Sequence, residues 1–171
     1  KQPLQISLGP NTFGEEGISM QVEHNGLSLH GELRHGPLTP LQSDIMGPFR
    51  FISELECTHG VVSMGHRLNG TLTLNGETLD FSGGLGYIET DRGRSFPDKY
   101  LWTQCNWAKP ENTGLMLAVA TIPILKYVRF TGVICSIHYN KREYRLATYK
   151  GARIKTWSEH GAEVIQRKYR L

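Results

Sequence analysis

Three Asn-Gly pairs, Asn25-Gly26, Asn69-Gly70 and Asn75-Gly76, punctuate runs of alternating apolar and polar residues. A two-residue type I′ turn needs positive φ at both central positions, so each pair is expected to close a β-hairpin. Before the first pair Ile18, Met20 and Val22 alternate with Ser19, Gln21 and Glu23; after it Leu27, Leu29 and Leu33 alternate with Ser28, His30 and Glu32. A period of two buries one face of a strand. The later pairs join GVVSMGHRL, TLTL and TLDF into an expected meander, with Leu72 and Leu74 opposite Thr71 and Thr73. Further strands are read at FRFISELE, GGLGYIETD, YLWTQCNW, LMLAVATI, YVRFTGVICSIHY, YRLATYKGARI and AEVIQRKY. Helical periodicity with caps is not found. So many strands bury their edges by closing or folding over, which predicts an all-β antiparallel barrel or strongly curved sandwich.

The 171 residues suffice for one full-sized core, and residues 1–171 are read as a single domain. The longest loops are expected at Arg34–Pro48 and Lys109–Gly114. Nineteen Lys and Arg against sixteen Asp and Glu leave a net charge of +3, too small to indicate nucleic acid. The basic excess lies mostly between Lys141 and Arg170, where it guards a solvated edge or rests against anionic lipid, a peripheral membrane contact. Cys57, Cys105 and Cys135 sit inside strand-like runs, as reduced thiols do, which suggests a reducing, cytoplasmic location. No apolar run approaches the roughly twenty residues of a membrane helix.

In FRFISELECTH alternation places Phe49, Phe51, Leu55, Cys57 and His59 on one strand face, opposite Arg50, Glu54, Glu56 and Thr58. A histidine on that face either shuttles a proton near neutral pH or is a core imidazole satisfied by a carbonyl. Cys57, His59 and His66 are metal-ligand types, but scattered donors do not establish a zinc geometry, and no metal is expected. The densest polar cluster is GGLGYIETDRGRSFP, Gly83–Pro97. On a strand Tyr87, Glu89 and Asp91 share a face, with Arg92 and Arg94 just beyond. Neighbouring carboxylates cannot both ionise cheaply, so one tends to hold a proton; the alternative is an exposed acidic face balanced by the arginines. Trp102, Gln104 and Asn106 form another same-face set. Trp102 is either core or a cation–π wall, with Asn106 orienting a polar group.

The runs Ile45–Gly70, Asp80–Asn106 and Phe130–Ile154 resemble the tocopherol cyclase-like family in its bacterial form, most specifically in GYIETDRGRSFP and the following WTQCN. The resemblance covers roughly Asn11 to Ile154. That family is similar to carotenoid hydratases, and the pair implies a lipocalin-like barrel holding an isoprenoid or prenylated quinol. In both reactions an isoprenoid double bond is protonated; a phenol then closes a chroman ring in the cyclase, whereas water adds in the hydratase. The resemblance places Glu89 or Asp91 as proton donor, His59 as its partner or as base toward the phenol, and Tyr87 and Trp102 around the cation. Asn106, His66 and Phe51 complete the expected substrate-binding set. The chemistry is redox-neutral, so no cofactor is expected. Two departures stand out: Arg92 replaces a tryptophan of the family string, and family members are longer, so the chain is expected to be a fragment or a form stripped to one barrel, with an incomplete pocket in either case. A non-catalytic isoprenoid carrier and a hydratase are the competing readings.

Overall fold

The computed structural model describes residues 4–52, 55–107, 113–125 and 128–171. Their regular structure is β-strand apart from two short 3-10 turns, Gly47–Phe51 and Thr148–Lys150. The strands are β1 (Gln5–Leu8), β2 (Asn11–Gly14), β3 (Gly17–His24), β4 (Leu27–His35), β5 (Cys57–Leu74), β6 (Glu77–Asp80), β7 (Gly84–Gly93), β8 (Lys99–Trp107), β9 (Thr113–Leu125), β10 (Val128–Tyr139), β11 (Arg142–Ala147), β12 (Arg153–Ser158), β13 (Gly161–Gln166) and β14 (Tyr169–Arg170). The ladders joining β1 through β6, β8 through β11 and β12 through β14 are antiparallel, and β7 pairs with β5. The chain is thus all-β and antiparallel, as its alternation requires. It divides into two compact units, Lys1–Thr39 with Gly65–Tyr87, and Pro40–Met64 with Ile88–Leu171.

In the first unit two of the three Asn-Gly pairs make turns. Asn25 and Gly26 have φ of 49° and 81°, and Asn75 and Gly76 have 49° and 87°, the paired positive values that bring β3 onto β4 and β5 onto β6. The Asn75 amide oxygen accepts the Ser28 N–H at 2.8 Å, tying the tips of the two hairpins together. Asn69-Gly70 is not a turn: β5 runs through it without interruption. Gly70 has φ of 130° and lies against β4, where a Cβ would stand 2.2 Å from the Glu32 carbonyl oxygen. The glycine serves a close approach between strands, a use the dipeptide alone does not distinguish from a turn. Near it His66 is buried, its ring 4.5 Å from that of His35.

In the second unit β9 and β10 are the inner strands of the sheet β11-β10-β9-β8. One face of this sheet carries Leu117, Val119, Val133, Cys135 and Leu146, packed against Ala152 and Val164 with Ile154, Trp157 and Ala162 around them. Val119, Cys135 and Val164 are wholly buried, and each of the two valines stabilises the unit by roughly 1.5–3 kcal/mol. The three cysteines are free thiols, as expected from their placement in strands.

Two expected strands are corrected. Phe49 and Phe51 do not continue the strand of His59: Gly47, with φ of 55°, and Pro48 open a 3-10 turn over Gly47–Phe51, and β5 begins only at Cys57. Proline's fixed φ and missing N–H suit a helical first turn and oppose a strand start here. Glu54, between them, lies outside the described residues, as does most of the expected loop Lys109–Gly114. The run YRLATYKGARI likewise breaks into β11, a 3-10 turn and β12, because Gly151 turns left-handed at φ of 86°.

Candidate functional site

The other face of the β8–β11 sheet is built from small residues. Strand register sets Trp102 opposite Ala118 and Ala118 opposite Ile134, and in the next rows Tyr100 opposite Ala120 and Ala120 opposite Gly132. Methyl groups and a glycine in the middle of a sheet flanked by aromatic rings leave a hollow of about 310 Å³. At Gly132 a Cβ would come within 2.7 Å of the Phe130 ring, so glycine is what allows that ring to lie back over the strand. Met46 and Phe49 also line the hollow. Their segment is held by a buried ionic cluster: the Arg145 guanidinium donates to the Asp44 and Ser43 carbonyls at 2.9 and 3.0 Å and to Glu143, while the Tyr149 hydroxyl donates to the Ile45 carbonyl at 2.9 Å.

Into this apolar hollow β5 and β7 project the polar group. Alternation sends Cys57 and His59 to one side of β5, and Glu89 and Asp91 to one side of β7; all four line the cavity. His59 stands between the two carboxylates. Its Nδ1 is 2.9 Å from Asp91 Oδ1, and its Nε2 is 3.6 Å from Glu89 Oε2, buried and without a hydrogen bond. With Nδ1 carrying the proton toward Asp91, Nε2 is left as a base facing the cavity. The Trp102 indole N–H donates to Glu89 Oε2 at 3.2 Å, so one side chain both walls the cavity and holds the carboxylate. Cys57 lies with its thiol 3.9 Å from Asp91 Oδ1; burial, and then the neighbouring carboxylate, pushes that thiol up from its ordinary range, which disfavours the thiolate.

Of the residues singled out from the sequence, His59, Glu89, Asp91 and Trp102 therefore share one cavity. Tyr87 does not line it, and lies in the stretch of β7 that belongs to the first unit. His66 also belongs to the first unit, against His35. Asn106, four residues along β8 from Trp102, accepts a hydrogen bond from Gln104 at 2.6 Å and is not among the lining residues. Phe51 is 75% exposed, beneath the Arg50 guanidinium, because the 3-10 turn removes it from the face that Phe49 retains. Ala118, Ala120, Gly132, Tyr100 and Phe130 were not anticipated; the two alanines are signalled by small residues at alternate positions of LMLAVATI, and the other three only by their pairing with that strand. Among the described residues no group of three or more His, Cys, Asp or Glu side chains is arranged so that it could hold a metal ion.

The family model described as tocopherol cyclase-like matches residues 36–170, which takes in all of the cavity and leaves β1–β4 outside. No curated protein and no solved structure matches the chain. With most of its length matched, and with the acidic strand inside that length, the chain belongs to the tocopherol cyclase-like family.

Proposed function

We propose that the cavity binds a prenylated hydroquinone and closes its chroman ring by proton transfer. The observation that carries this reading is His59 held between two carboxylates at the wall of an apolar, aromatic-lined hollow. Glu89 in its acid form gives its proton to the less substituted carbon of the prenyl double bond: the O–H bond breaks, a C–H bond forms, and a tertiary cation remains. The rings of Trp102, Tyr100 and Phe130 stabilise that cation through their π faces. The phenol oxygen then forms the C–O bond and releases its proton to His59 Nε2, whose tautomer Asp91 sets. Transfer from Nε2 to Glu89, 3.6 Å away, restores the acid. Substrate and product are isomers, so the balance needs no oxidant or reductant.

The test is incubation of the chain with prenylated hydroquinones of several chain lengths in D₂O, followed by chromatography and mass spectrometry. The expected product is a chromanol carrying one carbon-bound deuterium, lost in Glu89→Gln. Uptake of water identifies a hydratase instead. Prenylquinol that co-purifies and stays chemically unaltered, with no product at any chain length, overturns the enzymatic reading in favour of a carrier.

A further inference from the structure

Some residues that line the cavity are also strongly exposed, which marks its rim. Phe96 lines it yet keeps 71% of its surface exposed, and Tyr100 keeps 61%. One exposed phenylalanine would need no explanation, but Phe96, Tyr100 and the 44% exposed Trp102 together leave an aromatic edge open around one apolar hollow. The exposure of Phe96 comes from how the turn between β7 and β8 is fastened. On one side the Arg94 N–H donates to the Glu56 carbonyl at 2.8 Å and the Ser95 hydroxyl to the Glu56 carboxylate; on the other Asp98 pairs with Arg129 at 2.7 Å. Phe96 is carried outward between these two anchors.

Beside it the Glu56 carboxylate is held by the Ser95 hydroxyl, while the unpaired charges carried by the turn and the strand ends next to it are cationic. Arg92, Arg94 and Lys99 are exposed and make no ion pair among the described residues, whereas Asp98 is already neutralised by Arg129. An aromatic tip flanked by free cations is complementary to the interface of an anionic bilayer, where the ring enters the acyl boundary and the guanidinium groups meet lipid phosphates. We infer that the β7–β8 turn is a membrane-docking tip that inserts Phe96 into an anionic lipid surface and opens the cavity toward it. It is distinct in sequence from the basic stretch Lys141–Arg170, although Lys99 and Tyr100 share a surface hollow with Trp157 and Glu159 of that stretch. It deepens the proposed function by giving the apolar substrate a route from the bilayer, but its test is independent of any turnover.

The experiment is vesicle flotation of the chain with phosphatidylcholine alone and with phosphatidylcholine containing phosphatidylglycerol, in the absence of substrate, together with hydrogen–deuterium exchange. The expected result is binding to the anionic vesicles that weakens with added salt, with slowed exchange in residues 92–100. Phe96→Asp is expected to weaken binding by about tenfold or more, from the lost burial of one phenylalanine. Arg92→Gln and Arg94→Gln are each expected to weaken it about fivefold. Phe96 is exposed, so its replacement leaves folding unchanged, which circular dichroism verifies. Absence of binding, binding indifferent to Phe96→Asp, or protection confined to residues 141–170 overturns the inference. Because no substrate is present, these outcomes leave the cyclisation reading to its own assay.

Discussion

Acidification is expected to loosen the first unit through His66. The residue is 4% exposed, its ring tilted against that of His35 at 4.5 Å and covered by Gly86, where a Cβ would lie 2.3 Å from His66 Nε2. Burial, and secondarily the neighbouring His35, push its pKa from 6.5 down to about 4. Above pH 6.5 the imidazole is neutral in both folded and unfolded chains, and its contribution to stability is complete. Between 6.5 and about 4 the unfolded chain takes up a proton that the folded one refuses, so stability falls as pH falls. At roughly 1.4 kcal/mol per pH unit the whole interval amounts to about 3 kcal/mol, a large fraction of the stability of a small unit. Trp102, Trp107 and Trp157 all lie in the second unit, so a probe within the first unit is needed. The assay is hydrogen–deuterium exchange of residues 27–35 and 65–74 between pH 7 and pH 4, corrected for intrinsic rates, in the natural chain and in His66→Gln. NMR titration of the imidazoles accompanies it. Protection is expected to decline on acidification in the natural chain and to decline less in the variant. A His66 pKa close to 6.5, or identical pH profiles in the two proteins, refutes the reasoning.

Removing the Arg145 guanidinium by Arg145→Ala leaves Glu143 buried without its counter-charge, and is expected to cost about 3–5 kcal/mol in denaturant unfolding followed by tryptophan fluorescence. Leu146→Ala, in the core on the opposite face of the same sheet, is expected to cost about 2–5 kcal/mol in the same measurement. Ala120→Leu fills the hollow and is expected to abolish retention of prenylquinol, as judged by extraction and mass spectrometry, while the melting temperature shows that the fold survives. Cys135 is wholly buried and its thiol is pushed up to about 12, so iodoacetamide at mildly alkaline pH is expected to leave it unmodified until the protein is unfolded.

The alternation of Ile18 to Leu33 and the pairs Asn25-Gly26 and Asn75-Gly76 determined strands and hairpins directly, because side-chain period and positive φ are properties of adjacent residues. The string from Tyr87 to Pro97 placed Glu89 and Asp91 on one side of one strand for the same reason. Asn69-Gly70 shows where such reasoning stops: its dipeptide is a turn signal, but Gly70 is spent on a contact with Glu32, some forty residues earlier in the chain. Phe51 shows it again, since Gly47 and Pro48 reset the backbone before alternation applies. What brings His59 to Asp91 and Glu89 is the pairing of β5 with β7 across about thirty residues of chain, and what makes a cavity is the register that sets Ala118, Ala120 and Gly132 side by side. Composition and local pattern therefore determined the strands, their buried faces and the family likeness. The meeting of an imidazole with two carboxylates, and the empty volume beside them, were decided only by tertiary structure, because both depend on which residues face one another across strands and not on which follow one another along them.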